Sequence, residues 1–251
     1  MIPTAELNDL LHAPGIEDLW DMHQRRMAGY GFDRIMYGAT RYRSGAHLGD
    51  AEDFVILTNH STDYTDVFIG EGLYHHAPMV RWALDHDGPC SWSLLRQMAE
   101  TGNLSAEERK VFDFNLSMGV RAGYSISFRS VSPRTKGAIA LTAEEGMRQR
   151  DVDAMWETHG EDILLLNNIA HLRILSLPYT SPARTLTARQ REVLGWVGDG
   201  KTVQDIALLM GLTGATVEKH LRLARDALCV ETTAQAVLKA SFQNQIFMME
   251  A

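Results

Sequence analysis

The sequence predicts an α+β protein with an N-terminal α/β/α sandwich on an antiparallel sheet, followed by a small all-α domain of four helices. Over the first 175 residues, short segments rich in β-branched and aromatic residues alternate with helical segments. Residues 185–238 instead show four short amphipathic helices separated by turn residues. Between the two regions, the segment 176–185 holds two prolines and several hydroxyl residues, a composition typical of a linker. We therefore place domains at 1–175 and 186–251.

The N-terminal domain is expected to mix helices and strands. Helices are predicted over residues 15–30, 62–72, 78–84, 105–118 and 152–175. Strands are predicted over residues 34–40, 53–59, 91–95, 124–129 and 137–142. Because short turns join strands that are adjacent in the chain, we expect an antiparallel sheet with helices on both faces. Such a sheet depends on its helices to fill the space over it, so any shortfall leaves a cavity.

The C-terminal helices carry capping signals and one basic face. Thr187 and Gln190 are spaced for a capping box, and a glycine at 211 separates the second and third helices. The second helix is expected to direct Ile206, Leu209 and Met210 inward. The third has a core stripe at helical spacing, formed by Val217, Leu221, Ala224 and Leu228. Its opposite face presents Ala215, Glu218, Lys219, Arg222 and Arg225. This pattern predicts a helix-turn-helix, with a small helical bundle as the alternative.

This segment resembles the DNA-binding domain of LuxR-type transcriptional regulators. The resemblance rests on LTARQREVLGWV, GKTVQDIA, MGLTGATVEKHLRLARDAL and TTAQAV, in that order. It implies that the third helix is the recognition helix. The DNA-contacting positions that follow are Lys201, Thr216, Glu218, Lys219, His220, Arg222 and Arg225.

Charge and composition limit the function classes. Residues 1–180 hold 16 basic and 25 acidic side chains, a net charge of −9, whereas residues 181–251 hold 8 and 7, a net charge of +1. The acidic N-terminal domain is better suited to receiving a ligand than to contacting DNA. No apolar run is long enough to span a membrane, no signal peptide is evident, and Cys90 and Cys229 suggest no disulfide framework. We expect a cytoplasmic protein.

The N-terminal domain resembles, more loosely, the autoinducer-binding domain of the same family. The carrying segments are TDYTDVFIGEGLYHHAPMVRWAL, CSW and MGVRAGYSIS. Members that bind acyl-homoserine lactones share a Trp that donates to the lactone carbonyl, a Tyr, an Asp-Pro pair whose Asp accepts from the amide N–H, a second Trp and a Gly. The corresponding residues of this chain are Tyr64, Phe68, Ala77-Pro78, Trp92 and Gly123.

The polar positions of that set are the ones replaced. The Ala77 side chain accepts no hydrogen bond, and Phe68 lacks a hydroxyl. Since a hydrogen bond to a charged group is worth roughly 1.5–3 kcal/mol, loss of the Asp alone should weaken lactone binding tenfold to a few hundredfold. The pocket then takes a less polar ligand, is filled by its own side chains, or regains the contacts through other residues; we favour the first two together. The candidate pocket residues are His60, Tyr64, Phe68, Ala77, Met79, Val80, Trp92 and Ser125.

No motif for metal binding, phosphate binding or nucleophilic catalysis is present, so we expect neither an enzyme nor a cofactor. The sequence predicts a dimeric transcriptional regulator that binds a palindromic double-stranded operator, with a small-molecule signal and RNA polymerase as further candidate partners. An apolar band over residues 163–175 is broad enough to pair two copies, or it belongs to the core. The main alternative is an anti-activator that heterodimerises with a true lactone receptor. A phosphorylation-controlled response regulator is disfavoured because the first 180 residues lack repeated βα alternation.

Overall fold

The computed structural model describes residues 2–43, 48–130, 132–179 and 184–247. The chain divides into two compact units, one comprising Met1–Gly49 with Phe54–Leu175 and the other Asp50–Asp53 with Ser176–Ala251. Residues 180–183 of the predicted linker lie outside the described residues. The domain limits given above therefore stay a prediction.

The first unit is built on a five-stranded antiparallel sheet with the order β2-β1-β5-β4-β3. Its strands are β1 (Arg34–Thr40), β2 (Val55–Thr58), β3 (Gly88–Ser91), β4 (Gly123–Ser127) and β5 (Lys136–Thr142). Its helices are α1 (Thr4–Leu11), α2 (Ile16–Gly29), α3 (Thr62–Thr65), α4 (Pro78–Asp85), α5 (Ser93–Glu100), α6 (Ala106–Ser117) and α7 (Gln149–Ser176). Helix α3 continues as one π-helical turn, Asp66–Gly70.

Helix α7 covers one face of the sheet together with α2. The Phe128 ring stacks on His171 of α7 with ring centroids 4.1 Å apart, and the Tyr37 hydroxyl of β1 lies 2.9 Å from the Nδ1 atom of the same histidine. Helices α3 to α6 lie on the opposite face, where α4 contacts β4 and β5. The predicted α/β/α sandwich with an antiparallel sheet is confirmed.

The strand predicted over residues 91–95 is wrong. The strand there is β3, which ends at Ser91, and helix α5 begins two residues later. The Ser91 hydroxyl accepts a hydrogen bond from the backbone N–H of Ser93 at 3.1 Å, which stabilises the helix start. Pairing of Ser91 with Tyr124 on β4 sets the end of the strand, and that long-range contact is invisible to local periodicity.

Among its described residues, the second unit contains four α-helices, α8 (Ala188–Gly198), α9 (Val203–Met210), α10 (Gly214–Leu228) and α11 (Thr233–Phe242). A threonine precedes each helix and caps it by accepting from a backbone N–H in the first turn. The turn between α9 and α10 begins at Gly211, which has a φ of 65° that glycine adopts without strain. This arrangement confirms the predicted helix-turn-helix domain.

The predicted core stripe of α10 is buried as expected. The expectation for Leu209 is wrong, because this side chain of α9 is 54% exposed. Helix α9 is only eight residues long, and Ile206 alone among its residues is fully buried. So short a helix packs on the core of the second unit through about one turn of inward-facing residues, and Leu209 lies outside that packed face.

Candidate functional site

A cavity of about 550 Å³ lies between the sheet and helices α3 to α6 of the first unit. All eight predicted pocket residues line it. They come from three places that are distant in the chain: the segment from His60 to Val80, Trp92 at the start of α5, and Ser125 on β4. That these residues bind a ligand remains a prediction.

The sheet leaves room for the cavity because several side chains on this face of β4 and β5 are small. In an antiparallel sheet, directly paired residues share a face and alternate residues point to opposite faces. One paired row holds Gly38, Ala138 and Ser127 between Ile56 on β2 and Gly88 on β3, and the next holds Ala140 and Ser125 beside Met36. Intervening positions carry the bulky residues that face α7.

Tyr64 is the centre of a group of stacked aromatic rings on one wall of the cavity. Its ring stacks against His60, Phe68 and Phe114, with centroids 4.4, 5.2 and 5.4 Å away. Its hydroxyl donates to Oδ1 of Asn115 on α6 at 2.9 Å. Burial raises the pKa of the Tyr64 hydroxyl, so it remains a protonated donor. The tyrosine that the resemblance matches to the family's lactone-binding Trp is thus already hydrogen bonded inside the protein.

Asn115 is a cavity residue that sequence reasoning missed. It lies on α6 within an otherwise amphipathic helix, where a single amide is indistinguishable from a solvated polar residue. Only the contact with Tyr64, 51 residues away in the chain, places it on the wall. The amide oxygen accepts that bond, and the two amide N–H groups remain available as donors.

Trp92 is held in a similar way. Its indole N–H donates to the Ser125 hydroxyl at 2.9 Å. Gly123 lies against the Trp92 ring, and a Cβ atom there would come within 2.9 Å of the ring and 2.1 Å of the Leu141 carbonyl oxygen. The buried Gln149 side chain accepts from the Gly123 N–H and donates to its carbonyl, each at 3.0 Å. Gly123 is therefore required by close packing.

His60 is the remaining polar residue near Tyr64. Burial lowers its pKa to about 4, and the nearby Arg34 guanidinium acts in the same direction. The imidazole is accordingly neutral at pH 7. Ala77 lies close by at 5% exposure and packs in one cluster with Tyr64 and Phe68. The resemblance implies an Asp at position 77, where this chain has Ala77. Among the described cavity-lining residues, Glu100 is the sole acidic one, so no carboxylate near Ala77 takes the place of that Asp.

Cationic side chains also line the cavity. Lys136 is buried and donates to Oδ1 of Asp87 at 2.8 Å and to the His86 carbonyl at 3.1 Å, so its charge is compensated. Three arginines, Arg96, Arg109 and Arg121, lie elsewhere on the lining. Sequence reasoning did not single them out, since isolated arginines on helices and loops are normally solvated.

Helix α10 presents the predicted DNA-contacting residues on its outer face. Glu218 and Lys219 are exposed, and Thr216 and His220 are half-buried. Arg222 is exposed and pairs with Asp226 one turn on, at 3.1 Å. Arg225 is half-buried and donates to the Thr233 hydroxyl at 2.9 Å. Lys201 is exposed just before α9, away from α10 in the chain. The first four of these α10 residues make no ion pair with another described residue.

Comparison with known proteins decides the family. Residues 15–174 match the family "Autoinducer binding domain", and residues 184–240 match "Bacterial regulatory proteins, luxR family". The chain belongs to the LuxR family. Both LuxR-type domains are present, in the order in which the sequence predicts them, and the C-terminal one is a DNA-binding helix-turn-helix.

Its relatives are transcriptional regulators rather than enzymes. The activator ExpR of Dickeya dadantii is 24% identical over 67% of this chain and 69% of its own length. The activator AnoR of Acinetobacter nosocomialis is 23% identical over 89% of this LuxR-family chain and 90% of its own. The crystal structure of Escherichia coli SdiA superposes with a TM-score of 0.53 at 14% identity, covering 97% of both chains, which supports the fold.

Two further properties follow from the described part of the chain. None of its helices has the length and apolar character needed to cross a bilayer. Nor do its histidine, cysteine and acidic side chains gather anywhere in a group of three or more that could hold a metal ion.

Proposed function

We propose that this LuxR-family regulator acts as a dimer that binds a palindromic operator through α10, and that its cavity is not adapted to ordinary acyl-homoserine lactones. The polar contacts inside the cavity support the statement about acyl-homoserine lactones. The acceptor position holds Ala77, while the two donors that remain, Tyr64 and Trp92, are already bonded to Asn115 and Ser125. A lactone amide N–H would find no carboxylate at position 77, and a lactone carbonyl that bonds to Tyr64 or Trp92 would displace an existing partner.

A ligand that is less polar at this end of the cavity, or no ligand, fits this site better. Tyr64, Phe68 and Trp92 fill their side of the cavity with aromatic surface that stabilises the unit without help from a ligand. SdiA has been crystallised in complex with octanoyl-rac-glycerol. That compound is an acyl ester without an amide N–H, so it is the type of molecule that would not need the missing Asp.

Dimerisation is supported by exposed apolar residues on α7. Leu165 and Leu172 are 45% and 66% exposed and lie seven residues apart, on one face of the helix. Ile163, Leu166 and Ala170 face the core instead. The apolar band is thus wider than the core uses. Replacing Leu172 by Glu should shift the protein toward monomer, whereas replacing Leu11, an exposed residue of α1, should not.

The alternative function, an anti-activator, is supported by the small number of unpaired cations on the outer face of α10. Arg222 is paired with Asp226 and Arg225 is tied to Thr233, so two of the three expected cations on α10 already have partners. Since non-specific affinity for DNA grows with the number of phosphates neutralised, binding by this unit alone would be weak. An anti-activator would form heterodimers with a lactone receptor and lack operator affinity of its own.

Native mass spectrometry of protein made in a host without acyl-homoserine lactones tests the proposal, followed by selection of binding sites from random double-stranded DNA. We expect a folded, lactone-free dimer that selects a palindrome. Replacing Lys219 and Arg222 by Ala should weaken binding and reduce the salt slope by roughly two, while Arg189→Ala on α8 serves as the control. Protein that folds only with a lactone would contradict the proposal, and a folded dimer that selects no DNA would favour the anti-activator.

A further inference from the structure

Three arginines gather on one side of the cavity. Arg96 lies on α5, Arg109 on α6, and Arg121 between α6 and β4. Arg96 donates to the backbone carbonyl of Arg121 at 3.1 Å, and Arg109 donates to the carbonyl of Ala99, next to the end of α5, at 2.7 Å. These bonds connect the three positions into one cluster, which we call the arginine cluster.

The arginine cluster has no carboxylate partner in the described structure. Arg121 donates to the Leu116 carbonyl at 3.3 Å, so within the described residues all three guanidinium groups hydrogen-bond only to backbone oxygens, and Arg109 also lies over the Phe112 ring, 5.7 Å from its centroid. Glu100 lines the same cavity but forms no ion pair with any of them within the described residues. This is unusual in a region where acidic residues outnumber basic ones by 25 to 16. Each guanidinium keeps further N–H groups that can donate.

The arginines stand where the cavity opens to solvent. Arg96 and Arg121 are exposed and Arg109 is half-buried, yet all three line the cavity. The lining next to them is largely apolar, with Leu95, Ala99, Phe112, Leu116 and Val120, and it also includes the polar residues Glu100 and Asn115. The cavity therefore has a mouth that carries more positive than negative charge, and an interior that is mostly apolar. It runs along β5 from Lys136 to Thr142, a span of about 20 Å at the usual rise of a strand.

We infer that the cavity binds a single-chain amphiphile with an anionic head group, with the head at the arginine cluster and the acyl chain along the sheet. Guanidinium groups bind carboxylate and phosphate in a bidentate manner, which a neutral lactone cannot reproduce. The head group thus lies at the mouth, away from Ala77, so the missing Asp has no consequence for it. This inference rests on the proposed function, because it names the ligand class of the same non-standard cavity.

Titration of the full-length, lactone-free protein with sodium dodecanoate below its micelle concentration tests the inference, with dodecanol, dodecyl phosphate and N-dodecanoyl homoserine lactone as comparison ligands. We expect dodecanoate to bind at least tenfold tighter than dodecanol, since a charge-assisted bond is worth about that factor. Replacing Arg96 and Arg121 together by Gln should remove this advantage and leave dodecanol binding unchanged. Preference for dodecanoate or for dodecyl phosphate identifies the head group as carboxylate or phosphate.

A matched control carries Arg25→Gln and Arg150→Gln, two exposed arginines on α2 and α7 that make the same change in net charge. It should keep the dodecanoate preference. Arg121→Lys retains the positive charge but loses the bidentate geometry of the guanidinium. Its affinity for dodecanoate should therefore lie between those of the wild type and the Gln double variant. Equal binding of dodecanol and dodecanoate, equal losses in the two double variants, or no binding of any anionic amphiphile would overturn the inference.

The proposed function has a separate readout. Tight binding of the lactone would contradict the proposed function, whereas a lactone-free dimer that binds DNA but ignores dodecanoate would contradict only the ligand class. Melting curves of the unliganded variants establish that they fold. Both residues of the test variant are exposed and bond only to backbone carbonyls, so their replacement leaves the core intact.

Discussion

Replacing Ala77 by Asp is the most direct test of why this cavity should reject acyl-homoserine lactones. Ala77 is 5% exposed, lines the cavity and shares a cluster with Tyr64 and Trp92. A carboxylate there would face a ligand amide in a largely apolar site. A charge-assisted hydrogen bond is worth roughly 1.5–3 kcal/mol, so we expect affinity for N-octanoyl homoserine lactone to rise about tenfold to a hundredfold.

The position of Ala77 in the chain adds a second effect. Ala77 is the N-cap residue of α4, and no side chain caps that helix. Asp is a favoured N-cap residue and adds about 1 kcal/mol when it accepts from the first-turn N–H groups. This gain does not depend on ligand. The effect on ligand binding must therefore be taken from the difference in stability between the liganded and the unliganded form of each variant. A change in melting temperature without that comparison would include the capping effect.

Isothermal titration of the wild type, Ala77→Asp and Ala77→Asn with the same lactone separates these contributions. The Asn variant has an acceptor oxygen of similar reach without a charge, so its gain should be smaller than that of Asp. Thermal melts without ligand report the capping effect. If the Asp variant and the wild type bind the lactone within threefold of each other, the reasoning from the missing acceptor is refuted.

Three further predictions concern stability. Gly123→Ala should destabilise the first unit by more than about 4 kcal/mol in urea unfolding, because the new methyl would lie 2.1 Å from the Leu141 carbonyl oxygen. Cys229→Gly should stabilise the second unit by about 1 kcal/mol, since this exposed residue ends α10 at a φ of 54°. Burial lowers the pKa of His23 to about 4 from its usual 6.5, so only the unfolded chain takes up its proton over this range. Unfolding free energy should therefore fall by on the order of 3 kcal/mol for this residue as the pH drops from 6.5 to 4, and stay level above 6.5.

Each of these has its own control. Gly29 lies at the end of α2 with no atom near the position of an added Cβ, so Gly29→Ala should be nearly neutral; comparable losses at both glycines would contradict the packing argument. Cys229→Ala keeps a Cβ atom and should show no gain, which separates the backbone effect from the loss of the thiol. For the acid effect, His23→Asn should flatten the dependence on pH, and an unchanged slope would show that other groups cause it.

Features that depend on neighbours in the chain were predictable. The capping box of Thr187 and Gln190 and the core stripe of α10 from Val217 to Leu228 form as expected, because both involve residues three or four positions apart. The strand over residues 34–40 was likewise predicted with its observed limits. Alternation and helical spacing report burial on one face directly, so they suffice to identify both domains.

The interior of the cavity was predictable only in part. Family spacing points to Tyr64, Ala77 and Trp92, and the structure places these on one wall. The family spacing gives no information on which atoms the polar groups of these residues contact. Asn115 and Ser125 lie 51 and 33 residues from the side chains they bind, and no local pattern connects them.

The sequence by itself determined the two-domain order, the helix-turn-helix and the absence of a side-chain acceptor at position 77, because these are properties of single positions or of short-range periodicity. Only the tertiary structure decided that the donors of Tyr64 and Trp92 are already occupied, that Leu209 is exposed, and that three arginines share the mouth of one cavity. The physical reason is the same in each case. A hydrogen bond or a charge cluster depends on which distant segments the sheet brings together, and the pairing of strands is a long-range property of the whole domain.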